Sequence, residues 1–358
     1  MSWEENVRKV VPYTPGEQPR NKNVIKLNTN ECPYPPAPGV NKALQEFDVD
    51  TLRLYPDPNA TVLVDALAEY YGVKSSQVFV GVGSDDVLAM IFMTFFNSKN
   101  PIIFPDITYS FYDVWADLFR IPYRQIPLDE DFNIVKEDYM GKGIMEGTPC
   151  GGIIFPNPNA PTGVLIGLDF IEDIVKANPD VIVVVDEAYI DFGGVSALPL
   201  IQKYDNLLVV QTFSKSRAMA GIRIGYAFGS EKLIKYLNDV KFSFNSYTLN
   251  RTALTLGVEA VKDDAYFKEI VGKIVNTREW VKNELKELGF TFRDSQSNFI
   301  FATHPDYDVV EIFEELRKRD IYVRHFNGER IKDYLRITIG TDDEMNILIK
   351  NIKEIIKC

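Results

Sequence analysis

The chain has 358 residues, 46% hydrophobic and 25% charged, which is enough for one large core and a smaller second one and excludes a disordered polymer. A formal net charge of −12 argues against a nucleic-acid footprint or an anionic-membrane surface, so any basic residues that bind anions must be local exceptions. Cys32, Cys150 and Cys358 form no close pair, and His304 and His325 are too few for a histidine-based zinc site, so no metal site is expected.

The N-terminus, MSWEENVRKVVPY, carries acids and lacks a leader's apolar stretch, and no segment reaches about 18 consecutive apolar residues. A cytoplasmic protein is expected. Residues 1–40 are rich in Pro and Asn and read as an extended arm. A helix over 60–71 then ends at Gly72, the strand Val78-Phe79-Val80 follows, and another helix starts near Ser84. Short apolar runs at 102–104, 152–155, 181–185, 207–210 and 224–228 read as further strands. Strands alternating with helices predict an α/β fold with a mostly parallel sheet sandwiched by helices. A long charged helical region over 249–288 comes next. Beyond it lie a strand at 298–302, a helix over 309–319, strands at 321–323 and 335–338, and a final helix. The expected organisation is an arm over 1–40 that joins a small α+β domain, a large domain over 41–247, and the small domain over 248–358 with a long linking helix at its start.

Several strand ends carry chemistry. Lys215 lies just past the apolar run Leu207-Leu208-Val209-Val210, near the carboxyl edge of a buried strand, where open α/β sheets form their ligand crevice. An amine there suits Schiff-base chemistry with an aldehyde, and Ser214 and Arg223 flank it with a hydroxyl and a cation suited to phosphate. A surface Ser-Lys pair is the plain alternative. Asp186 ends the run Val181-Ile182-Val183-Val184-Val185, and a buried acid needs a cationic partner. Its functional reading is a carboxylate pairing with a protonated pyridine nitrogen, with Tyr189 reaching the ring hydroxyl; a helix-capping Asp beside a packing Tyr is the alternative.

Gly81-Val82-Gly83-Ser84-Asp85-Asp86 opens a helix whose free N–H groups at Ser84 and Asp85 suit phosphate oxygens, although an ordinary N-cap explains it equally well. Any such dianion requires the two acids to point away. Pro156-Asn157-Pro158-Asn159-Ala160-Pro161-Thr162-Gly163 is a rigid turn able to aim an amide, and Tyr109, after the strand at 102–104, is a stacking candidate that reads otherwise as core. Arg336, inside the apolar strand Leu335-Arg336-Ile337-Thr338, requires a partner: a substrate carboxylate or a structural salt bridge. Arg324, with Tyr13, is a second anion candidate.

In this order these pieces resemble the fold-type I aminotransferases that use pyridoxal 5′-phosphate, and within them the histidinol-phosphate aminotransferases most closely. The likeness covers nearly the whole chain and rests also on Leu27-Asn28-Thr29-Asn30-Glu31, Tyr55-Pro56-Asp57, NPNAPTG, DEAYIDF and LRITIG. It implies a seven-stranded large-domain sheet, with Lys215 as Schiff-base lysine and general base. It further implies Asp186 on the pyridine nitrogen, Tyr189 on the ring hydroxyl and Tyr109 against the ring. The phosphate would be held by the Ser84 and Asp85 amides, Ser214 and Arg223, with Tyr55 reaching in from the partner of a homodimer. Substrate would meet Asn30, Arg336 on the α-carboxylate of glutamate, and Arg324 with Tyr13 on the phosphate of histidinol phosphate. The implied reaction moves an amino group from histidinol phosphate to 2-oxoglutarate, giving imidazole-acetol phosphate and glutamate, as part of histidine biosynthesis.

Two positions depart from the family pattern. Ala160 stands where Asn usually precedes Pro-Thr-Gly, which moves the expected ring amide to Asn159, and Gln211 stands where Arg often precedes Thr-Phe-Ser-Lys. An aromatic amino-acid aminotransferase, a phosphothreonine decarboxylase and a non-catalytic cofactor-sensing regulator are the competing readings.

Overall fold

The computed structural model describes residues 2–356 apart from 20, 22 and 141–148. Cys358 lies outside the described residues. In chain order the elements are β1 (Ile25–Lys26), α1 (Pro38–Gln45), α2 (Thr61–Tyr71), β2 (Val78–Gly81), α3 (Gly83–Phe95), β3 (Ile102–Pro105), α4 (Tyr112–Phe119), β4 (Tyr123–Ile126), β5 (Gly152–Pro156), α5 (Leu168–Ala177), β6 (Val183–Asp186), β7 (Leu207–Thr212) and β8 (Gly225–Phe228). Then follow α6 (Glu231–Phe244), α7 (Arg251–Lys262), α8 (Asp264–Glu287), β9 (Thr291–Phe292), β10 (Phe299–Thr303), α9 (Val309–Lys318), β11 (Ile321–Tyr322), β12 (Arg324–His325), β13 (Leu335–Thr338) and α10 (Asp342–Ile355).

Seven strands form the large sheet in the order β2-β8-β7-β6-β5-β3-β4, and only β8 runs against the others. Val183, Val184 and Val185 are buried on both faces of the sheet, as crossover helices demand. At about 1.5–3 kcal/mol per buried side chain, such a run makes the centre of the sheet its most rigid part. Rigidity at the centre matters because Asp186 is the next residue. The reversed β8 has a second consequence: its first residue, Gly225, pairs with both Gly81 and Thr212, so Arg223 just before it arrives at the edge where β2 and β7 end. A Cβ on Gly225 would lie 2.2 Å from the Ser84 nitrogen, so only glycine permits this approach.

Helix α2 stops at Gly72, whose φ of +68° is the left-handed conformation that favours glycine at a helix end. The charged region over 249–288 is two helices rather than one. Asp263 closes α7 and its side chain caps the start of α8 by accepting from the Tyr266 N–H. The two helices serve different cores: Ala253, Leu256 and Ala260 of α7 join the core beneath α1 and α2, whereas Ile274, Val281 and Leu285 of α8 join the smaller core with β10, β13 and α10.

In that smaller unit β12, β13, β10 and β9 form an antiparallel sheet. Of the run at 321–323, Ile321 and Tyr322 form β11, which pairs in parallel with β1 of the N-terminal arm, and the next strand, β12, pairs with β13 in the other sheet. The arm thereby runs beside β13, and Arg336 donates to the Asn28 carbonyl at 2.9 Å. Among the described residues no helix is long and apolar enough to cross a membrane, and no cluster of metal-ligating side chains occurs.

Candidate active site

At the carboxyl edge of the large sheet a cavity opens between the ends of β5, β6 and β7, the start of α3 and the segment that precedes β8. It holds about 540 Å³ free of protein atoms, and its walls include Ser84, Asp85, Tyr109, Asp186, Tyr189, Ser214, Lys215 and Arg223. Eight of the ten residues expected to bind a cofactor therefore meet in one place. A second cavity, lined by Tyr13, Asn30, Arg324, Arg336 and Phe326 among others, shares Tyr109, Ala160, Tyr189 and Lys215 with the first. Lys215 stands where the two meet.

The ends of the first cavity are of opposite character. Asp186 is only 4% exposed and has no ion-pair partner among the described residues; Tyr112 donates to its Oδ2 at 2.9 Å and the Ala188 N–H to its Oδ1 at 3.3 Å. Burial, opposed by the Tyr112 hydrogen bond, pushes its pKa up to about 6. A carboxylate held this way is stabilised by any cation brought to it. At the other end Arg223, with φ of +61°, bends across Gly83, where a Cβ would lie 2.5 Å from its guanidinium. Its two terminal nitrogens reach Ser214 Oγ at 3.3 Å and Asp85 at 3.0 Å. The free N–H groups at the start of the thirteen-residue helix α3 adjoin that cation.

The two acids of α3 differ. Asp86 accepts from the Val82 N–H at 3.0 Å and turns away from the cavity. Asp85 does not: its carboxylate lines the cavity, pairs with Arg223 and accepts from the Tyr109 hydroxyl at 2.7 Å. An anion that arrives at Arg223 competes with Asp85 for the guanidinium.

Lys215 Nζ donates to the Thr29 carbonyl at 3.2 Å and sits 5.6 Å from the centre of the Tyr189 ring. The Tyr189 hydroxyl accepts from Asn30 Nδ2 at 2.9 Å, and Asn30 Oδ1 accepts from Thr338 at 3.0 Å. Asn30, held at φ of +56°, thus links the arm, β13 and the Tyr189 hydroxyl. Asn159 lies outside the cavity wall: its Nδ2 donates to the Ile107 carbonyl and to Thr162 Oγ1, both at 3.0 Å, while its buried Oδ1 has no partner. Tyr55 is 77% exposed, stacks on Tyr247 with ring centres 4.7 Å apart and is absent from both cavities.

The sequence offered no signal for Tyr112 or Phe326. A tyrosine three residues after Tyr109 and a phenylalanine after His325 look like any core aromatic until the fold aims them. Opposing of Arg324 and Arg336 comes from the β12–β13 register, in which they are direct cross-strand partners. Neither guanidinium has a carboxylate partner among the described residues: Arg324 reaches only the Thr14 carbonyl at 3.5 Å, and the Nε of Arg336 is unpaired. Burial, reinforced by Arg324, pushes the pKa of Arg336 down from its usual value.

A family model for aminotransferase class I and II matches residues 22–352. The chain belongs to that family. It is 52% identical over 354 residues to histidinol-phosphate aminotransferase from Brachyspira hyodysenteriae, covering 99% of this chain and 98% of that protein. The enzyme of the same name from Lactococcus lactis subsp. cremoris is 52% identical over 357 residues, covering 100% and 98%. Among solved structures, histidinol-phosphate aminotransferase from Clostridium acetobutylicum superimposes with a TM-score of 0.84 at 23% identity, over 93% of this chain and 99% of that one. The Sinorhizobium meliloti enzyme in complex with pyridoxal-5′-phosphate gives 0.83 at 24% identity, over 93% and 91%. At these identities the two structures speak for the fold alone.

Aminotransferases of this family use pyridoxal phosphate, and the cavity fits that group. A buried carboxylate with no ion-pair partner among the described residues stands at one end, a cation beside helix N–H groups at the other, and an amine between them.

Proposed function

We propose that this chain is a pyridoxal-phosphate-dependent aminotransferase that moves the amino group of histidinol phosphate to 2-oxoglutarate, giving imidazole-acetol phosphate and glutamate. The observation that carries the substrate is the arginine pair at Lys215: Arg324 and Arg336 line one cavity with the lysine and have no carboxylate partner among the described residues. Histidinol phosphate presents a phosphate and no carboxylate, whereas glutamate presents two carboxylates, so an alternating pair of such substrates calls for two separate cations. Relatives named for this activity, about half identical over the whole chain, support the same reading.

When bound, pyridoxal phosphate supplies an aldehyde that condenses with amines and a ring that delocalises the electron pair left on a deprotonated carbon. The protein's residues do the rest. Asp186 would pair with the ring nitrogen and favour its protonated form, with the Tyr112 hydroxyl keeping the carboxylate ionised and aimed. Arg223, Ser214 and the first N–H groups of α3 would hold the phosphate, which would compete with Asp85 for Arg223. Tyr189, oriented by Asn30, would donate to the ring hydroxyl, and Tyr109 would lie against the ring. Lys215 Nζ would be the base that takes the α-proton of the amino donor, a role worth about 10²–10⁴ in rate. Arg336 binds the α-carboxylate of glutamate, and Arg324 with Tyr13 binds the phosphate of histidinol phosphate.

The enzyme works as a cytoplasmic homodimer in this reading. Leu52, Leu54 and Tyr55 form an exposed apolar run with Tyr55 stacked on Tyr247, a surface suited to a second copy, and Tyr55 then reaches the partner's phosphate site.

Purified protein supplied with pyridoxal phosphate and glutamate should turn over imidazole-acetol phosphate faster than phenylpyruvate. A higher rate on phenylpyruvate replaces the assignment with an aromatic aminotransferase, and carbon dioxide release from phosphothreonine replaces it with a decarboxylase.

A further inference from the structure

Two guanidinium groups with no carboxylate partner among the described residues stand side by side in the substrate cavity, and something must hold them. Arg324 and Arg336 are direct partners across the antiparallel β12–β13 pair, so both side chains leave the same face of the sheet. Like charges in that relation repel. The ring of Phe326 lies within reach of both: its centre is 5.4 Å from the guanidinium carbon of Arg324 and 5.5 Å from that of Arg336. Arg336 has a second ring, Phe299, at 5.4 Å, but Phe326 alone is shared. The negative face of an aromatic ring attracts a cation without satisfying its N–H donors, so each fork remains available to an incoming oxyanion.

The position of Phe326 is itself fixed. It lines both the substrate cavity and a neighbouring one walled also by Phe104, Asp106, Tyr109 and Arg330. The loop after Phe326 is fastened to the large sheet by Arg330, which bonds Asp106 and the carbonyls of Leu128 and Asp129. Its edge meets Phe301 at 6.3 Å between centres.

We propose that Phe326 is a positioning residue for substrate binding, its ring holding Arg324 and Arg336 as two separate anion receptors with no carboxylate partner among the described residues. The proposal rests on the transaminase reading above for the identity of the anions, but not for the existence of the receptors. A carboxylate in the ring's place would neutralise the pair, and an aliphatic side chain would leave the two cations to repel and turn toward water.

The test compares Phe326→Leu, which keeps bulk but has no aromatic face, with Phe326→Tyr, which keeps the face. In the holoenzyme, Phe326→Leu should raise KM for glutamate and for imidazole-acetol phosphate about five- to tenfold with kcat within about twofold, and Phe326→Tyr should restore both. A second measurement needs no turnover: calorimetric binding of inorganic phosphate to the holoenzyme, whose cofactor site is already filled, should weaken similarly in Phe326→Leu and recover in Phe326→Tyr. Equal KM values and equal phosphate affinity in wild type and Phe326→Leu overturn the proposal, as does a loss that Phe326→Tyr fails to restore. If the wild type binds phosphate but does not transaminate imidazole-acetol phosphate, the function reading fails and the phosphate comparison still decides this one.

Discussion

The Tyr112 hydroxyl donates to Asp186 Oδ2 at 2.9 Å, from the first turn of a helix to the end of a central strand, and among the described residues no other side chain does so. Both groups are buried, and burial pushes the Tyr112 pKa well above its usual value, so the tyrosine remains the donor throughout the working pH range. Removing that donor by Tyr112→Phe leaves Asp186 with the Ala188 N–H alone and raises its pKa further. The variant should bind pyridoxal phosphate about five- to tenfold more weakly, and the acid limb of its pH–rate profile should move to higher pH. Stability should change by about 1 kcal/mol. An absorbance titration of the cofactor reports the affinity, and an unchanged value would show that Tyr112 serves packing only.

Much of this site was legible from residue order. Strands β5, β6 and β7 announce themselves because a strand buried on both faces must be a continuous apolar run, and Lys215 and Asp186 then fall at strand ends by counting. What was not legible depends on partners distant in sequence. The edge strand β4 is half-buried and carries Arg124 and Gln125, so it shows no apolar run. The two-residue strand β1 exists only because β11 lies beside it. The single helical region over 249–288 conceals a break because Asp263, polar in a polar stretch, looks like any surface residue. Asn159 was expected to offer an amide to the ring; its Nδ2 donates instead to Thr162 within its own turn and to the Ile107 carbonyl of the loop after β3.

Glu187, next to Asp186, sits 1% exposed among three donors: Ser196 Oγ, the Ala197 N–H and Gln211 Nε2. Burial still dominates and pushes its pKa up to about 7 from an ordinary 4.5. Between these values the folded chain holds a proton that the unfolded chain has lost, so the carboxyl's contribution to stability falls as pH rises through that window and levels off above it. Glu187→Gln removes the titration and adds an offset independent of pH. The stability of wild type minus that of the variant should therefore decrease from pH 4.5 to about 7 and then stay flat, by urea unfolding at a series of pH values. A difference that is constant or rises with pH would mean that the three donors outweigh burial.

Lys215 makes one hydrogen bond, to a backbone carbonyl of the arm, so the fold gains little from its amine. Lys215→Ala should unfold within about 1 kcal/mol of wild type while transamination falls by roughly 10³-fold or more and the absorbance of the lysine-linked cofactor disappears. A variant that retained turnover and absorbance would remove the chemical basis of the proposed function.

Arg330 joins the loop beside the substrate cavity to the large sheet through a fork of three bonds: Asp106 Oδ2 at 3.0 Å, the Leu128 carbonyl at 3.0 Å and the Asp129 carbonyl at 2.7 Å. The ion pair is partly open to solvent and contributes about 0.2–1 kcal/mol, whereas the two carbonyls accept from a charged donor in fixed geometry and are worth more. Arg330→Ala should therefore cost about 1–3 kcal/mol of stability, and because Phe326 begins the same loop, KM for both substrates should rise with kcat nearly unchanged. Arg330→Lys separates charge from geometry: an ammonium keeps the Asp106 pairing but not the planar fork, so it should recover the smaller part of the stability and little of the KM. Full recovery by lysine would identify the link as electrostatic, and a fall in kcat with KM unchanged would place its effect on the lysine rather than on the arginine pair.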